Sequence, residues 1–343
     1  MKALIYRGPF EMGIEEIDRP RVGAGDVLLR MLAVGICGSD VHGFAGKTGR
    51  RAPGMVMGHE MAGQIVKAGR KVTGFRVGQT VAVQPLLYCG KCEMCQLGQT
   101  NVCLRKRVVG VNMGTVGGFA EYLAVPAGNL FPVPATLPPT LASLAEPFAV
   151  GISAVRVAAP KASETVVIVG AGIIGLTVLL ALRQRRCKRI FIVDQSKQKL
   201  AMAKSCGAVP VDFCDEDPVE RIAKETSGRG VDVSIEAVGI TASVQTALLA
   251  TKTGGRSIWI GNSAKMIDLD MQDIVVREKT IRGIYCYDDN DFGRAVRFVG
   301  QNRETVSALV DQTVSLDEAP ALFTRLARGE KECLRAIVMV SRE

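Results

Sequence analysis

The sequence is poor in residues that several classes of protein require. Its 343 residues include two histidines and one tryptophan, and aromatic side chains make up 5% of the chain. Basic residues exceed acidic ones, with a formal net charge of +9, but they are scattered instead of forming a stripe with interleaved aromatics. That distribution argues against nucleic acid as a partner. An anionic cofactor or substrate explains the charge better.

Long apolar runs are also missing. No stretch reaches the roughly 18 uninterrupted apolar residues of a membrane helix. The first 20 residues contain glycine, proline and acidic residues that interrupt any apolar run, so they do not resemble a secretory signal. We therefore expect a soluble, cytoplasmic protein without membrane partners. Internal repeats and low-complexity tails are absent as well, and the length allows two domains.

Two patterns follow one another along the chain. The first third is rich in glycine and in short β-type runs such as DVLLRMLAVG and QTVAVQPL, which predict an antiparallel, barrel-like unit. After a proline-rich connector, the chain from Thr165 onward alternates strand and helix, as in TVVIVG, IIGLTVLLALRQRR and RIFIVD. This alternation predicts a parallel sheet with helices on both faces. The predicted fold class is therefore α/β with an additional β-barrel domain.

Four of the ten cysteines are crowded into fifteen consecutive residues. Cys89, Cys92, Cys95 and Cys103 form C-x-x-C-x-x-C followed after seven residues by a fourth cysteine. Without a secretory signal, such a cluster favours a metal over disulfides. Four thiolates fill a tetrahedral zinc site and leave no position for a substrate, so the predicted role is structural. Two alternatives stay open: free or oxidisable cysteines, and an iron–sulfur cluster.

A second group combines the scarcest residues. The two histidines, His42 and His59, fall near a further thiol, Cys37, and His59 is followed by Glu60. Cysteine, histidine and carboxylate on separate segments are typical of a zinc site with an open position. The alternative is a buried Cys37 and a histidine satisfied by the backbone. Because neighbours on a regular strand face opposite ways, His59 and Glu60 can both be ligands only if the strand breaks there.

A glycine fingerprint, VVIVGAGIIGL, stands between a predicted strand and a predicted helix. Here Gly170 would make the tight turn, Gly172 would let the backbone approach a pyrophosphate, and Gly175 would allow close helix packing. The segment therefore predicts a dinucleotide site.

The next predicted strand ends at Asp194. A carboxylate there accepts hydrogen bonds from the ribose hydroxyls of NAD and repels the 2′-phosphate of NADP, so NAD is favoured. The nearby Lys197 and Lys199 weaken this discrimination. In the alternative interpretation, Asp194 merely caps the following helix.

Together these motifs resemble the zinc-dependent medium-chain dehydrogenase/reductase family. GHEMAGQIVKAGRKV fits its zinc alcohol dehydrogenase signature, VGICGSDVHGF is similar to its first metal segment, and the four-thiol loop is similar to its structural zinc lobe. GGFAEYLAVP and EPFAVG are similar to later landmarks, so the resemblance covers essentially the whole chain. It implies a GroES-like catalytic domain at 1–148 with a zinc lobe at about 86–106, a Rossmann dinucleotide-binding domain at 149–285, and a return segment at 286–343 that packs with the catalytic domain.

The resemblance also implies one catalytic and one structural zinc ion per chain. It assigns the catalytic ion to Cys37, His59 and Glu146, with Glu60 as a direct or alternating ligand. Ordinary alcohol dehydrogenases have a second cysteine where this chain has Glu146, which resembles the sorbitol, threonine and sugar-alcohol dehydrogenase branch and favours a multiply hydroxylated substrate. The implied cofactor-binding residues are Gly170, Gly172, Ile173, Ile174, Gly175, Asp194, Lys199 and Val238.

A proton relay is implied by the same resemblance. Ser39 would hydrogen-bond the substrate oxygen, and the proton would pass through the cofactor ribose to His42, which titrates near the required pH. Asp40 would orient the His59 imidazole. The alternative is that Ser39 is a turn residue and His42 a surface residue.

The predicted function is NAD-dependent oxidation of a secondary alcohol in a polyol, sugar acid, sugar phosphate or amino alcohol. The alternatives are an L-threonine-type dehydrogenase, an NADP-dependent alcohol or aldehyde reductase, and a zinc-stabilised binding protein that retains the fold. The segment RVVGVNMGTVGGFAEY departs from the histidine-and-aspartate form of some sugar dehydrogenases, so their substrates cannot be transferred. An exposed edge strand near RSIWIGN predicts a homodimer or homotetramer.

Overall fold

The computed structural model describes residues 1–330 and 333–341, and it divides into two compact units. Unit 1 contains Met1–Glu146 and the chain from Asp288 onward; unit 2 is Pro147–Tyr287. The strands are β1 (Lys2–Gly8), β2 (Glu11–Glu16), β3 (Asp26–Gly35), β4 (Met55–Val56), β5 (Glu60–Ala68), β6 (Thr80–Val83), β7 (Leu86–Leu87), β8 (Arg107–Val108), β9 (Tyr122–Pro126), β10 (Leu130–Pro132), β11 (Thr165–Val169), β12 (Arg189–Asp194), β13 (Val209–Asp212), β14 (Val231–Glu236), β15 (Thr251–Trp259), β16 (Thr280–Gly283), β17 (Gln312–Ser315) and β18 (Ala336–Met339). The helices are α1 (Gly38–Phe44), α2 (Glu93–Gln96), α3 (Pro139–Ser143), α4 (Ala145–Ala158), α5 (Ile173–Arg183), α6 (Lys197–Ser205), α7 (Pro218–Glu225), α8 (Thr241–Ala250), α9 (Met271–Val275), α10 (Asp289–Gln301), α11 (Arg303–Ser307) and α12 (Ala319–Ala327), with 3-10 turns at Thr100–Val102 and Ala127–Asn129.

Unit 1 is built on a largely antiparallel sheet. Its strands follow the order β10-β6-β5-β3-β18-β17, and β9 also pairs with β3. The long β3 is buried along most of its length, as its apolar run requires. From the far end of the chain, β18 joins β3 antiparallel, with Val338 opposite Val34, while β17 and β18 pair in parallel. The C-terminal segment therefore completes the sheet of unit 1.

Helix α1 is held in place by aromatic packing. Its last residue, Phe44, is fully buried, and its ring meets Phe10 and Phe323 edge-on at centroid distances of 5.6 and 5.7 Å. Phe323 belongs to α12 and also packs against Phe119. Such edge-to-face pairs stabilise beyond simple burial of area. The position of α1 therefore depends on a helix near the end of the chain.

Unit 2 is a parallel sheet in the order β13-β12-β11-β14-β15-β16. Numbered by appearance this is 3-2-1-4-5-6, the strand order of doubly wound dinucleotide-binding sheets. All five residues of β11 are buried, because helices cover both faces of a central parallel strand. The predicted α/β class with a parallel sheet is confirmed.

One prediction about this sheet was wrong. The segment RSIWIGN does not form an edge strand, because β15 pairs with β14 on one side and with β16 on the other. The edge strand on this side of the sheet is β16, whose four residues TIRG are mostly exposed. Such a short strand has too little alternation to be recognised in the sequence.

The helical stretch Pro139–Ala158 is long and apolar enough to cross a membrane by length and composition. However, 78% of its most apolar window is buried inside the protein. A core helix passes the same test, so the stretch is weak evidence for a membrane span.

Candidate metal centres and cofactor site

The four clustered thiols converge on one point. Cys92 Sγ lies 3.5 Å from Cys95 Sγ and 3.7 Å from Cys103 Sγ, and Cys103 Sγ lies 3.6 Å from Cys89 Sγ. Zinc–sulfur bonds of about 2.3 Å in a tetrahedron place the sulfurs about 3.8 Å apart. The four thiols therefore fit a single zinc ion and leave too little room for a cluster of several atoms.

Backbone groups of the loop favour the thiolate form of two of these residues. Backbone N–H groups, chiefly that of Cys95, lower the pKa of Cys92 to about 6. The backbone at Lys91 likewise lowers the pKa of Cys89. By contrast, desolvation and the neighbouring thiols raise the pKa of Cys95 to about 12. Crowded thiols cannot all ionise without a cation among them, which again fits a bound metal.

The second group of candidate ligands lies at the ends of two adjacent strands, β3 and β5. Cys37 follows β3 and is the N-cap of α1, while His59 directly precedes β5, which begins at Glu60. Gly58, with a φ of +95°, turns the chain just before His59. The regular strand thus starts after His59, so alternation does not separate it from Glu60. Ligand atoms of Cys37, His59 and Glu60 all lie within 4.8 Å of one another.

Glu60 is fully buried and has one oxygen available to a metal. Its Oε2 accepts a hydrogen bond from Arg335, whereas its Oε1 has no hydrogen-bond partner. Gly35 faces it across the β3–β5 pair, and a Cβ at that position would lie 2.2 Å from Oε2. An unpaired buried carboxylate oxygen is costly unless a cation or donor satisfies it. Sulfur, imidazole and carboxylate together fit a zinc ion.

The fourth predicted ligand, Glu146, lies in the first turn of α4 and is 7% exposed. Among the described residues it is not part of the group within 4.8 Å. Its charge nevertheless acts on Arg335, so it belongs to the same electrostatic environment. Its role as a ligand stays a prediction.

Sequence reasoning missed Arg335. This residue precedes β18 and is 1% exposed, and it also donates to the backbone oxygen of Ile36 at 2.8 Å. Burial alone lowers the pKa of Arg335, but the charges of Glu60 and Cys37 outweigh it and raise the pKa. One signal was present, a single cation in the otherwise apolar run LRAIVMV.

His59 is flanked by a buried carboxylate. Its Nδ1 lies 3.4 Å from Asp40 Oδ2, and Asp40 Oδ1 accepts a hydrogen bond of 3.0 Å from Arg51. Burial by itself lowers the pKa of His59, but Asp40 and then Cys37 raise it well above its ordinary value. Burial raises the pKa of Asp40, but His59 and Arg51 outweigh it and lower that pKa. The structure thus places Asp40 where the sequence predicts it, beside the His59 ring.

Ser39 and His42 lie three residues apart on α1, a spacing that puts them on one helix face. Both are exposed, whereas Asp40 on the opposite side is buried. Desolvation by surrounding atoms and then the charge of Lys47 lower the pKa of His42. A neutral imidazole near neutral pH can accept a proton.

The glycine fingerprint adopts the predicted strand–turn–helix geometry. Gly170 has a φ of +102° directly after β11, and Gly172 is the N-cap of α5. A Cβ on Gly175 would lie 1.8 Å from the Gly170 carbonyl oxygen, so α5 packs on the turn itself. Helix α5 begins with Ile173 and Ile174, and the N–H groups in the first turn of a helix favour a bound anion.

Two further cofactor candidates lie beside this turn. A methyl carbon of Val238, just after β14, is 2.6 Å from the position of a Cβ on Gly170. At the end of β12, Asp194 accepts hydrogen bonds from the backbone of Ala171 at 2.7 Å and Ser196 at 2.9 Å. Its carboxylate is thereby fixed against the fingerprint. The structure places Lys199 in the first turn of α6, where its N–H donates to Ser196 Oγ, the N-cap group.

Comparison with known proteins supplies independent information. Residues 23–135 match the family model of the alcohol dehydrogenase GroES-like domain, and residues 174–301 match that of zinc-binding dehydrogenases. A sorbitol dehydrogenase of Bacillus subtilis is 32% identical over 100% of this chain and 98% of its own length. An L-threonine 3-dehydrogenase of Pyrococcus furiosus is 34% identical over 83% of this chain and 82% of its own.

A solved structure shows the same architecture. A protein of Sinorhizobium meliloti 1021, described as a zinc-binding dehydrogenase and determined bound to NADP, superposes with a TM-score of 0.90 at 29% identity, covering 99% of both chains. The resemblance inferred from the motifs is confirmed. The chain belongs to the zinc-dependent medium-chain dehydrogenase/reductase family, whose members are oxidoreductases that act on CH–OH groups with zinc and a nicotinamide cofactor.

Proposed function

We propose that this chain is an NAD-dependent dehydrogenase with one catalytic and one structural zinc ion. Its substrate would be a secondary alcohol of a polyol, sugar acid, sugar phosphate or amino alcohol, and polyols are the class that we favour among these. The proposal rests on one observation: Cys37, His59 and Glu60 bring sulfur, nitrogen and oxygen ligands together, and the buried Glu60 Oε1 lacks a partner. The full-length similarity to a sorbitol dehydrogenase supports the polyol class.

The two metal sites would have different tasks. The four-thiol site supplies every ligand of a tetrahedral ion and leaves no room for substrate, so it stabilises its loop. The Cys37 site has three convergent ligands and a neighbouring carboxylate, Glu146, which we propose as a further or exchanging ligand. When bound there, zinc supplies a Lewis acid that lowers the pKa of a substrate hydroxyl, and the nicotinamide supplies the hydride acceptor.

The chain's own residues would move the proton. Ser39 lies two residues after Cys37 at the exposed start of α1, where its hydroxyl would accept a hydrogen bond from the substrate hydroxyl. As Ser39 takes up that proton, it would release its own proton through the cofactor ribose toward His42. His42, one helical turn further on, would take the proton toward solvent. The lowered pKa of His42 keeps its imidazole neutral and ready to accept at neutral pH.

Asp194 supports NAD as the cofactor. Two backbone N–H groups hold its carboxylate beside the fingerprint turn, so a 2′-phosphate there would meet a fixed negative charge. Lys197 does not offset this charge freely, since its ammonium group lies 3.4 Å from Asp215. The NADP bound to the Sinorhizobium protein keeps NADP as the alternative cofactor.

A second candidate is an L-threonine-type dehydrogenase, favoured by the similarity to the Pyrococcus enzyme. A binding protein that kept the fold without the chemistry is the third, and it requires the thiol-bound metal alone. Turnover with a panel of polyols, sugar acids and threonine, each with NAD and NADP, separates the first two.

The decisive experiment combines metal analysis with Cys37→Ala. We expect two zinc ions in the wild-type chain, one in Cys37→Ala, and loss of turnover in a variant that still folds. As a matched control, Cys187→Ala removes a thiol of unit 2 and should keep both ions and full turnover. A Cys37→Ala variant that stayed active would refute the catalytic centre, and a wild-type chain with one zinc ion would favour the binding protein.

A further inference from the structure

Arg51 is a buried cation that the proposed chemistry does not use. Its side chain is 2% exposed, and its partner Asp40 is fully buried. Buried ion pairs carry a desolvation cost that can exceed their attraction, so they are weak evidence for stability alone. The neighbouring Arg50 is exposed. The burial of Arg51 therefore calls for a specific role, which its exposed neighbour Arg50 does not share.

Three contacts hold the side chain of Arg51 in place. Nη2 donates to Asp40 Oδ1 at 3.0 Å, Nη1 donates to the carbonyl of Val111 at 3.3 Å, and Nε lies 3.3 Å from Met57 Sδ. Gly43 of α1 leaves room for this side chain, because a Cβ there would lie 2.6 Å from Arg51 Cγ. The guanidinium is thus fixed between α1, the segment before His59 and the loop that follows the four thiols.

Asp40 divides its two oxygens between Arg51 and the metal ligands. Oδ1 accepts from Arg51, while Oδ2 lies 3.4 Å from both the backbone nitrogen of Cys37 and Nδ1 of His59. One carboxylate therefore contacts both ligand-bearing segments. With Oδ1 anchored by Arg51, the direction of Oδ2 is set.

We propose that Arg51 is a positioning residue for the metal centre, acting through Asp40 to hold Cys37 and His59 in ligating geometry. This inference rests on the proposed zinc site at those residues. Carboxylates and their partners behind a ligating histidine typically account for about 10–100-fold in metal affinity. Arg51 adds a further member to that chain of contacts.

The test measures zinc affinity by competition with a chromophoric chelator in Arg51→Met, Asp40→Asn and the double variant, with Arg50→Met as the matched control. We expect Arg51→Met to weaken the Cys37 site about 10-fold or more, to leave the thiol site unchanged, and to shift the absorption bands of cobalt bound at the Cys37 site. Arg50→Met should behave as wild type. The double variant should bind zinc no more weakly than Asp40→Asn, because Arg51 acts through Asp40.

Unchanged zinc affinity in Arg51→Met, or strictly additive losses in the double variant, would overturn the proposal. A wild-type chain with a single zinc ion would instead refute the proposed function. If Arg51→Met does not fold, Arg51→Lys keeps the charge but loses the fork of donors. It should fold and still bind zinc more weakly than wild type; wild-type affinity in that variant would refute the proposal.

Discussion

At the residue scale, the buried carboxylates around Cys37 are matched by buried arginines. Asp40 pairs with Arg51, and Glu60 pairs with Arg335. In both pairs the arginine engages one carboxylate oxygen. The other oxygen of Asp40 lies beside His59, a proposed metal ligand, and the other oxygen of Glu60 has no hydrogen-bond partner among the described residues. Removing one member of a buried pair leaves an uncompensated charge. The two pairs therefore make this region sensitive to single substitutions.

Arg335→Met should destabilise the protein by about 3–5 kcal/mol, since Glu60 would lose its cation in a fully buried site. Denaturant unfolding followed by circular dichroism measures the effect. Arg328→Met is the control, because its ion pair with Glu330 is 59% and 51% exposed and such pairs contribute about 0–1 kcal/mol. Equal unfolding midpoints for the two variants would contradict the prediction.

His42 should set the acid side of the pH profile. Desolvation and Lys47 lower its pKa below the ordinary 6.5, so kcat/KM should be constant at neutral pH and fall as His42 becomes protonated at lower pH. Lys47→Met removes a repelling charge, raises the pKa of His42 and moves the fall to higher pH. His42→Gln should lose about 100-fold in kcat/KM together with that acid limb. An unchanged profile in both variants would exclude His42 from the relay.

At the scale of elements, the thiol loop has little apolar packing of its own. Its helix α2 has no buried residue, and Cys103 is the buried member of the four thiols. The loop is tied to the C-terminal segment by Tyr88, whose hydroxyl donates to Asp289 at 2.6 Å. This bond, together with burial and the charge of Asp289, raises the pKa of Tyr88 to about 12. We therefore expect the metal ion proposed for the four thiols to supply much of the order of this loop.

Cys92→Ala should lower the zinc content from two ions to one and reduce the thermal midpoint, because three thiols hold the ion less tightly. Metal analysis and calorimetry check both effects. Cys214→Ala, at an exposed thiol outside the cluster, serves as the control. A visible iron–sulfur absorption band in the wild-type protein, or an unaltered zinc content in Cys92→Ala, would speak against the structural zinc.

At the scale of the whole molecule, the edge of the parallel sheet offers a surface for self-association. Among the described strands, β16 pairs with β15 alone. The residues before β16 include Met271, Val275 and Val276, which are 69%, 64% and 76% exposed. Unpaired edges next to apolar residues tend to pair with a second chain. We propose that this edge forms the contact of a homodimer, or of the dimers within a homotetramer.

Val276→Glu should convert that assembly to monomers, because each copy would bring a charge into the contact. Light scattering after size exclusion measures the mass. Val77→Glu, at a valine of unit 1 that is 69% exposed, is the matched control and should leave the assembly intact. A monomeric wild type, or a Val276→Glu variant of unchanged mass, would rule out this contact.

The sequence by itself determined the parts of this protein that depend on local spacing. The four thiols lie within one loop, and the glycine fingerprint and Asp194 lie within one strand–helix–strand unit, so their order along the chain predicts their geometry. Their folded positions follow that prediction. The same holds for buried apolar strands such as β3 and β11.

Tertiary structure alone decided which buried arginines contact the carboxylates near Cys37. Arg335 reaches Glu60 because β18 returns to β3, and Arg51 reaches Asp40 because Gly43 leaves space under α1. Such pairings join segments that are distant in sequence or lie in a loop, and no local periodicity encodes them. The short edge strand β16 was likewise invisible in the sequence, because its pairing with β15, and not its own pattern, makes it a strand.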